Sequence, residues 1–134
     1  MQMLRNGLFM LLTATLLIAC SSSNSPEKVA QEYINAVLAN DIDSLMNTLY
    51  IPADAPEEQA VLMRGKLTMM LAETSTRVIS QGGVKQVTYS DAEYNTEKTR
   101  ANLVATIHYK KDNAPKKDEM IALVKTDDGW KISL

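Results

Sequence analysis

The pattern of apolar and polar positions changes rhythm twice along this chain. Met1 to Gly7 is polar with a single cation, Arg5, and Leu8 to Ile18 then runs without charge or proline. A cationic start followed by such a block is the arrangement of a secretory signal. The block falls short of the roughly 20 apolar residues that a bilayer-spanning helix needs. A helical rhythm begins at Ser25-Pro26-Glu27, where serine can cap, proline suits the first helical position and glutamate favours the positive end of the dipole. Val29, Ala30, Tyr33, Ile34, Val37 and Leu38 recur at helical spacing to about Asn40, and Asn40-Asp41 breaks the pattern. Ile42, Leu45, Met46 and Leu49 predict a second, short helix. Pro52 and Pro56 bracket a loop, and a third helix is predicted from Pro56-Glu57-Glu58 with Ala60, Met63, Leu67, Met70 and Leu71 as its stripe. It should fade near Thr74-Ser75-Thr76, with Gly82-Gly83 ending any continuation.

From Val84 the rhythm becomes that of strands. Val84 to Tyr94 predicts a first strand, although its alternation is muddled. In Arg100 to Lys110, Ala101, Leu103, Ala105, Ile107 and Tyr109 share one face, while Asn102, Thr106 and His108 fall on the other. The loop Lys111 to Lys117 leads to a third strand, Glu119 to Thr126. Asp128-Gly129 is a hairpin turn, and Trp130, Ile132 and Leu134 alternate with Lys131 and Ser133 in a last strand. Helices followed by strands without crossovers predict an α+β domain: three N-terminal helices packed against a curved four-stranded antiparallel sheet.

The residues after the apolar block fix the domain organisation. Leu17-Ile18-Ala19-Cys20 resembles the lipobox of bacterial lipoproteins, in which a small residue admits the peptidase and the cysteine thiol accepts a diacylglyceryl group. The resemblance implies cleavage between Ala19 and Cys20, lipidation of Cys20 and usually acylation of the new amine, an anchor of several chains at about 0.8 kcal/mol per buried methylene. Residues 1–19 are then a signal peptide, 20–25 a lipidated cysteine with a short serine-rich tether, and 26–134 a single domain. The competing reading, a buried helix ending in a core cysteine, sits badly with Ser21-Ser22-Ser23-Asn24-Ser25, a flexible run. Cys20 is the only cysteine, so no disulfide is expected. Serine after Cys20, where aspartate commonly retains lipoproteins of enteric-type bacteria in the inner membrane, suggests the outer membrane of a Gram-negative envelope, on its periplasmic face.

Composition narrows the chemistry. The net charge of −2 becomes slightly more acidic once Arg5 leaves with the signal. No basic stripe interleaved with aromatics is present, so nucleic acid is not an expected partner. His108 is the only histidine and reads as a surface residue; alone it cannot supply a transition-metal site. Asp41 with Asp43, and Asp91 with Glu93, could serve acid–base chemistry only inside a cleft, and the first pair reads as helix-start acids. Met46, Met63, Met69, Met70 and Met120 suit an irregular core or an adaptable apolar groove. Lys110-Lys111 and Lys116-Lys117 cluster at one hairpin tip, as a solvated loop or as a contact for anionic headgroups within reach of a tether of about 17 Å.

Ser25-Pro26-Glu27 opening a helix just after the lipobox, the amphipathic body Val29 to Leu38, the restart Asn40-Asp41-Ile42-Asp43 and the closing Asp128-Gly129-Trp130-Lys131-Ile132 together resemble the NTF2-like (cystatin-like, cone-shaped) fold, and within it the small DUF4878-type lipoproteins. The resemblance spans nearly all of residues 25–134. It implies a sheet curled around the long helix and a conical cavity, for which Tyr33, Val37, Met63, Leu67, Met70 and Trp130 are the candidate lining. Such folds host enzymes and binding proteins alike. No catalytic constellation is assignable, and no cofactor or metal is expected. The reading is an anchored, non-enzymatic binding or interaction module, touching the membrane through Cys20 and holding an apolar small molecule or an envelope protein. The alternative is a small isomerase- or hydrolase-type enzyme working inside the cone.

Overall fold

A computed structural model describes residues 24–134; the signal segment, Cys20 and the tether up to Ser23 lie outside the described residues. Helix α1 (Pro26–Leu38) begins as its sequence dictates, with the Ser25 hydroxyl accepting from the Lys28 N–H at 3.1 Å. Its apolar stripe, Val29, Ala30, Ile34 and Val37, is buried. The helix ends where Asn40 turns into the left-handed region at φ 56°, a conformation asparagine tolerates. Asp41 then caps α2 (Ile42–Thr48), accepting from the Ser44 N–H at 3.1 Å and from its hydroxyl at 2.7 Å. Those two donors hold the Asp41 carboxyl below its usual range.

Helix α3 (Glu57–Ser80) is longer than its sequence predicts. It does not fade at Thr74–Thr76. The Thr76 hydroxyl donates back to the Ala72 carbonyl at 3.1 Å and the Ser80 hydroxyl to that of Arg77 at 2.8 Å, so these side chains are satisfied without breaking the helix. Gly82 and Gly83, at φ 79° and 101°, provide the stop.

The sheet is antiparallel and curled, with β1 (Val84–Tyr89), β3 (Arg100–Tyr109), β4 (Lys117–Thr126) and β5 (Gly129–Ile132) in spatial order, and β2 (Glu93–Tyr94) also on β3. The expected first strand is therefore split. β1 pairs with Ala105–Tyr109 and β2 with Ala101–Asn102, both along one edge of β3. The break at Ser90–Ala92 stays satisfied. The Ser90 N–H donates to the Val104 carbonyl and its hydroxyl accepts from the Val104 N–H, each at 2.9 Å, while the Ala92 N–H donates to the Glu27 carboxylate of α1 at 3.2 Å. The muddled alternation of Val84–Tyr94 reflects this corner.

Ala101, Leu103, Ala105 and Ile107 of β3, Ile121 and Leu123 of β4, and Trp130 and Ile132 of β5 form the buried concave face. α1 lies against it, and Leu67 and Leu71 of α3 complete the core. The free edge of β5 is covered by the chain leaving α2, through a parallel Leu49–Ile132 bridge and a Tyr50 N–H to Ile132 carbonyl bond of 2.8 Å.

At the entry to the domain, the Asn24 side-chain oxygen accepts from the Trp130 N–H at 2.5 Å. The neighbouring Gly129 has φ 106°, and a Cβ there would stand 2.5 Å from that same oxygen. Both the left-handed backbone and the close approach demand glycine. Gly129→Ala should lower stability by about 1–3 kcal/mol, read as a fall in the urea midpoint, with Asn24→Ala recovering only the part due to the clash.

Candidate functional site

Strand register decides where polar groups meet the core. Glu119 pairs with Ala105 and Lys117 with Ile107, so both project from the concave, core-facing side of the sheet. The apolar phase of β3 and β4 thus ends in Tyr109, Lys117 and Glu119 at the open end of the cone. There the second half of α1, the second half of α3 and the sheet leave a cleft of about 180 Å³. Ile34, Val37, Met70 and Ile107 form its apolar floor; Tyr33, Glu73, Thr74, Arg77, Tyr109, Lys117 and Glu119 supply the polar lining.

Lys117 Nζ and Glu119 Oε1 are 3.6 Å apart, with their side chains 45% and 43% exposed, so water screens the pair and its worth is at most about 1 kcal/mol. Burial, and then the nearby Glu119 charge, push the Tyr33 hydroxyl above its usual value, and at neutral pH it is protonated, as an ordinary tyrosine is. The cleft therefore offers a hydroxyl donor, two carboxylates and two cations above an apolar floor. Its volume is below the roughly 300–1,000 Å³ of typical small-molecule pockets and suits an amino-acid side chain or a group of that size.

Of the residues proposed from sequence as lining, Tyr33, Val37 and Met70 meet in this cleft. Met63, Leu67 and Trp130 do not. Leu67 is buried in the core, Met63 packs half-buried against it, and Trp130 is buried at the other end of the sheet, edge-to-face with Tyr94 at 5.9 Å. Sequence reasoning missed Ile34, Glu73, Thr74, Arg77, Ile107, Tyr109, Lys117 and Glu119 as lining. One signal was available: Glu119 stands in phase with Ile121 and Leu123, a carboxylate on the apolar side of a strand.

The other candidates lie elsewhere. His108 is on the convex face beside Gln86, its Nε2 3.4 Å from the Thr88 hydroxyl. Asp43 pairs with Arg64 at 2.6 Å on the surface, and Asp91 and Glu93 are exposed at the split-strand corner. Among the described residues, no group of three or more His, Cys, Asp and Glu is placed to hold a metal ion, and no helix is long and apolar enough to cross a membrane. The lysine-rich loop between β3 and β4 sits at the cleft end of the sheet, opposite the β4–β5 hairpin where Asn24 is held. Ten residues of β4 separate the two ends, a span of about 33 Å.

The chain superposes on a candidate NTF2-like transpeptidase of Campylobacter jejuni with a TM-score of 0.72 over 81% of this chain and 97% of that one, at 23% identity. The fold is NTF2-like. A candidate calcium/calmodulin-dependent protein kinase type II association domain from Thiobacillus denitrificans matches with a TM-score of 0.51 over 81% of this chain and 90% of that one, at 15% identity. At these identities the likeness is one of architecture, which places the cleft inside an NTF2-like cone and assigns it no activity. No family model and no curated protein matches the sequence.

A raised Tyr33 value has a definite sign for stability. Its contribution is present below the unfolded value of about 10 and is lost as pH rises through the higher folded value. Tyr89 is raised by burial in the same direction. Tyr33→Phe should therefore flatten part of the alkaline decline in urea midpoint above about pH 10 and leave the neutral region little changed.

Proposed function

We propose that the chain is a lipid-anchored lipoprotein of the Gram-negative envelope, held on the periplasmic face of the outer membrane, whose NTF2-like domain is a non-enzymatic binding module. The DUF4878-type lipoproteins are the group it resembles in sequence. Leu17-Ile18-Ala19-Cys20 supports the anchor. The observation that carries the binding role is the cleft itself: an apolar floor of Ile34, Val37, Met70 and Ile107 under a charged rim, at the end of the sheet remote from Asn24. An opening turned away from the anchored end suits an apolar side chain presented by an envelope protein, or an apolar small molecule of similar bulk. Lys117 and Arg77 on the rim favour a carboxylate or carbonyl beside that apolar group.

One observation favours a second reading. The protonated Tyr33 hydroxyl shares the cleft with Glu119, a donor and a carboxylate that an isomerase- or hydrolase-type reaction could use. The other carboxylate of the cleft, Glu73, is exposed at its rim, which leaves the pair without a buried partner acid and favours binding.

The anchor is tested by growing cells with labelled palmitate: the wild-type chain should be labelled and membrane-bound, and Cys20→Ala unlabelled and released. A labelled or membrane-retained Cys20→Ala protein would refute it. A photo-crosslinking residue at Thr74 tests the cleft. It should form a discrete adduct that Met70→Trp suppresses at least several-fold by filling the floor; adducts no stronger than those from a probe at exposed Met120 would exclude a binding role for this cleft.

A further inference from the structure

Helix α3 has two apolar faces, and its own domain uses only one. Leu67 and Leu71 are buried, and Ala60, Met63, Met70 and Val78 are half-buried around them. On the opposite side of the helix, Leu62, Gly65, Met69, Ala72, Thr76 and Ile79 all face solvent, with Leu62, Met69 and Ile79 at 66%, 68% and 75% exposure. Their spacing is 3-4-3-4-3, the a/d rhythm of a helix-pairing seam. Among the described residues, and apart from its sequence neighbours and the backbone of its own helix, nothing lies within 4 Å of where a Cβ on Gly65 would stand. This glycine, a poor helix former, therefore has no packing role inside the domain. Thr76 spends its hydroxyl on the Ala72 carbonyl, which suits its methyl to an apolar seam.

We propose that α3 pairs antiparallel with α3 of a second copy of this chain about a two-fold axis. The seam is self-complementary in that sense and not when parallel. Antiparallel layers set Leu62 against Ile79 of the second copy, Met69 against Ala72 and Gly65 against Thr76, so each larger side chain at the centre meets a smaller one. The same seam places Lys66 beside Glu73 of the second copy, twice by symmetry; a parallel pairing would set Lys66 beside Val61 and Glu73 beside Thr68 and form neither ion pair. Both residues are exposed, and among the described residues neither forms an ion pair within its own chain. Charge complementarity across the seam thus selects a second copy and fixes its direction. The pairing does not depend on the anchor; Glu73 also stands at the rim of the cleft, so the contact of Leu62 with Ile79, neither of which lines the cleft, is the part that stands apart from its occupant.

The test uses the full chain in the cells that express it. Two differently tagged copies, one carrying Leu62→Cys and the other Ile79→Cys, are co-expressed and mildly oxidised, with the chain lacking both substitutions as the control for Cys20. The antiparallel seam predicts a disulfide between the two tags at least ten-fold above that of either variant with itself. Like positions lie about 26 Å apart along the seam, beyond the roughly 7 Å that a disulfide allows between Cα atoms. Adding Lys66→Glu to both copies should cut the yield several-fold, and adding Glu73→Lys as well should restore it. A dominant Leu62→Cys self-disulfide would overturn the proposal in favour of a parallel pair. Yields at the control level in every pairing would overturn it in favour of a free face or one covered by lipid or another protein. A yield indifferent to Lys66→Glu would overturn the charge pairing.

Discussion

The architecture of this domain depends on α1 lying in the hollow of the sheet. A sheet with one apolar face must bury it, and here a single helix does most of that work, with Val29, Ala30, Ile34 and Val37 against the inward residues of β3, β4 and β5. Buried alanines on both sides, Ala30 and Ala36 in the helix and Ala101 and Ala105 in β3, keep the layers thin. The curl that follows leaves the cleft beside the second half of α1, where the strands outrun the helix. The cleft is thus a by-product of unequal lengths: α1 stops at Leu38 while β3 and β4 carry their core-facing phase on to Tyr109 and Lys117.

Much of this was legible in the sequence because the signals were local. Ser25-Pro26, Asn40-Asp41 and Asp128-Gly129 each specify a cap or turn by side-chain chemistry that acts within four residues. The apolar phase of Arg100–Tyr109 needs no partner to be recognised. What escaped was set by distant partners. The corner at Ser90–Ala92 exists because Val104 and Glu27 supply its hydrogen bonds from 14 and 65 residues away. The cleft lining was half visible, since Tyr33, Val37 and Met70 lie on predicted stripes. Trp130, Leu67 and Met63 fit the same apolar rule, but whether an apolar residue lines a gap or fills one depends on the length of the neighbouring element. Lys117 and Glu119 were invisible to a rule that looks for apolar residues, although their phase relative to Ile121 placed them inward.

α3 shows the same limit from the other side. Its core stripe is legible in the sequence and its length is not, because hydroxyl residues in succession favour caps and turns. In the folded chain Thr76 and Ser80 return their hydroxyls to the preceding turn, and the extra turns bring Arg77 to the cleft and Ile79 to the outer seam. One underestimated helix end therefore concealed parts of two surfaces.

The hydrogen bond from Trp130 to Asn24 also has a mechanical meaning. Any pull on the residues that precede Asn24 reaches the backbone of β5 as well as the first turn of α1. β5 is held on one edge by β4 and on the other by Leu49 and Tyr50, so tension is shared by the ladders of a sheet. The Asn24 bond thus gives the entering chain a second hold on the fold, on a strand paired along both edges, beside its covalent link to α1.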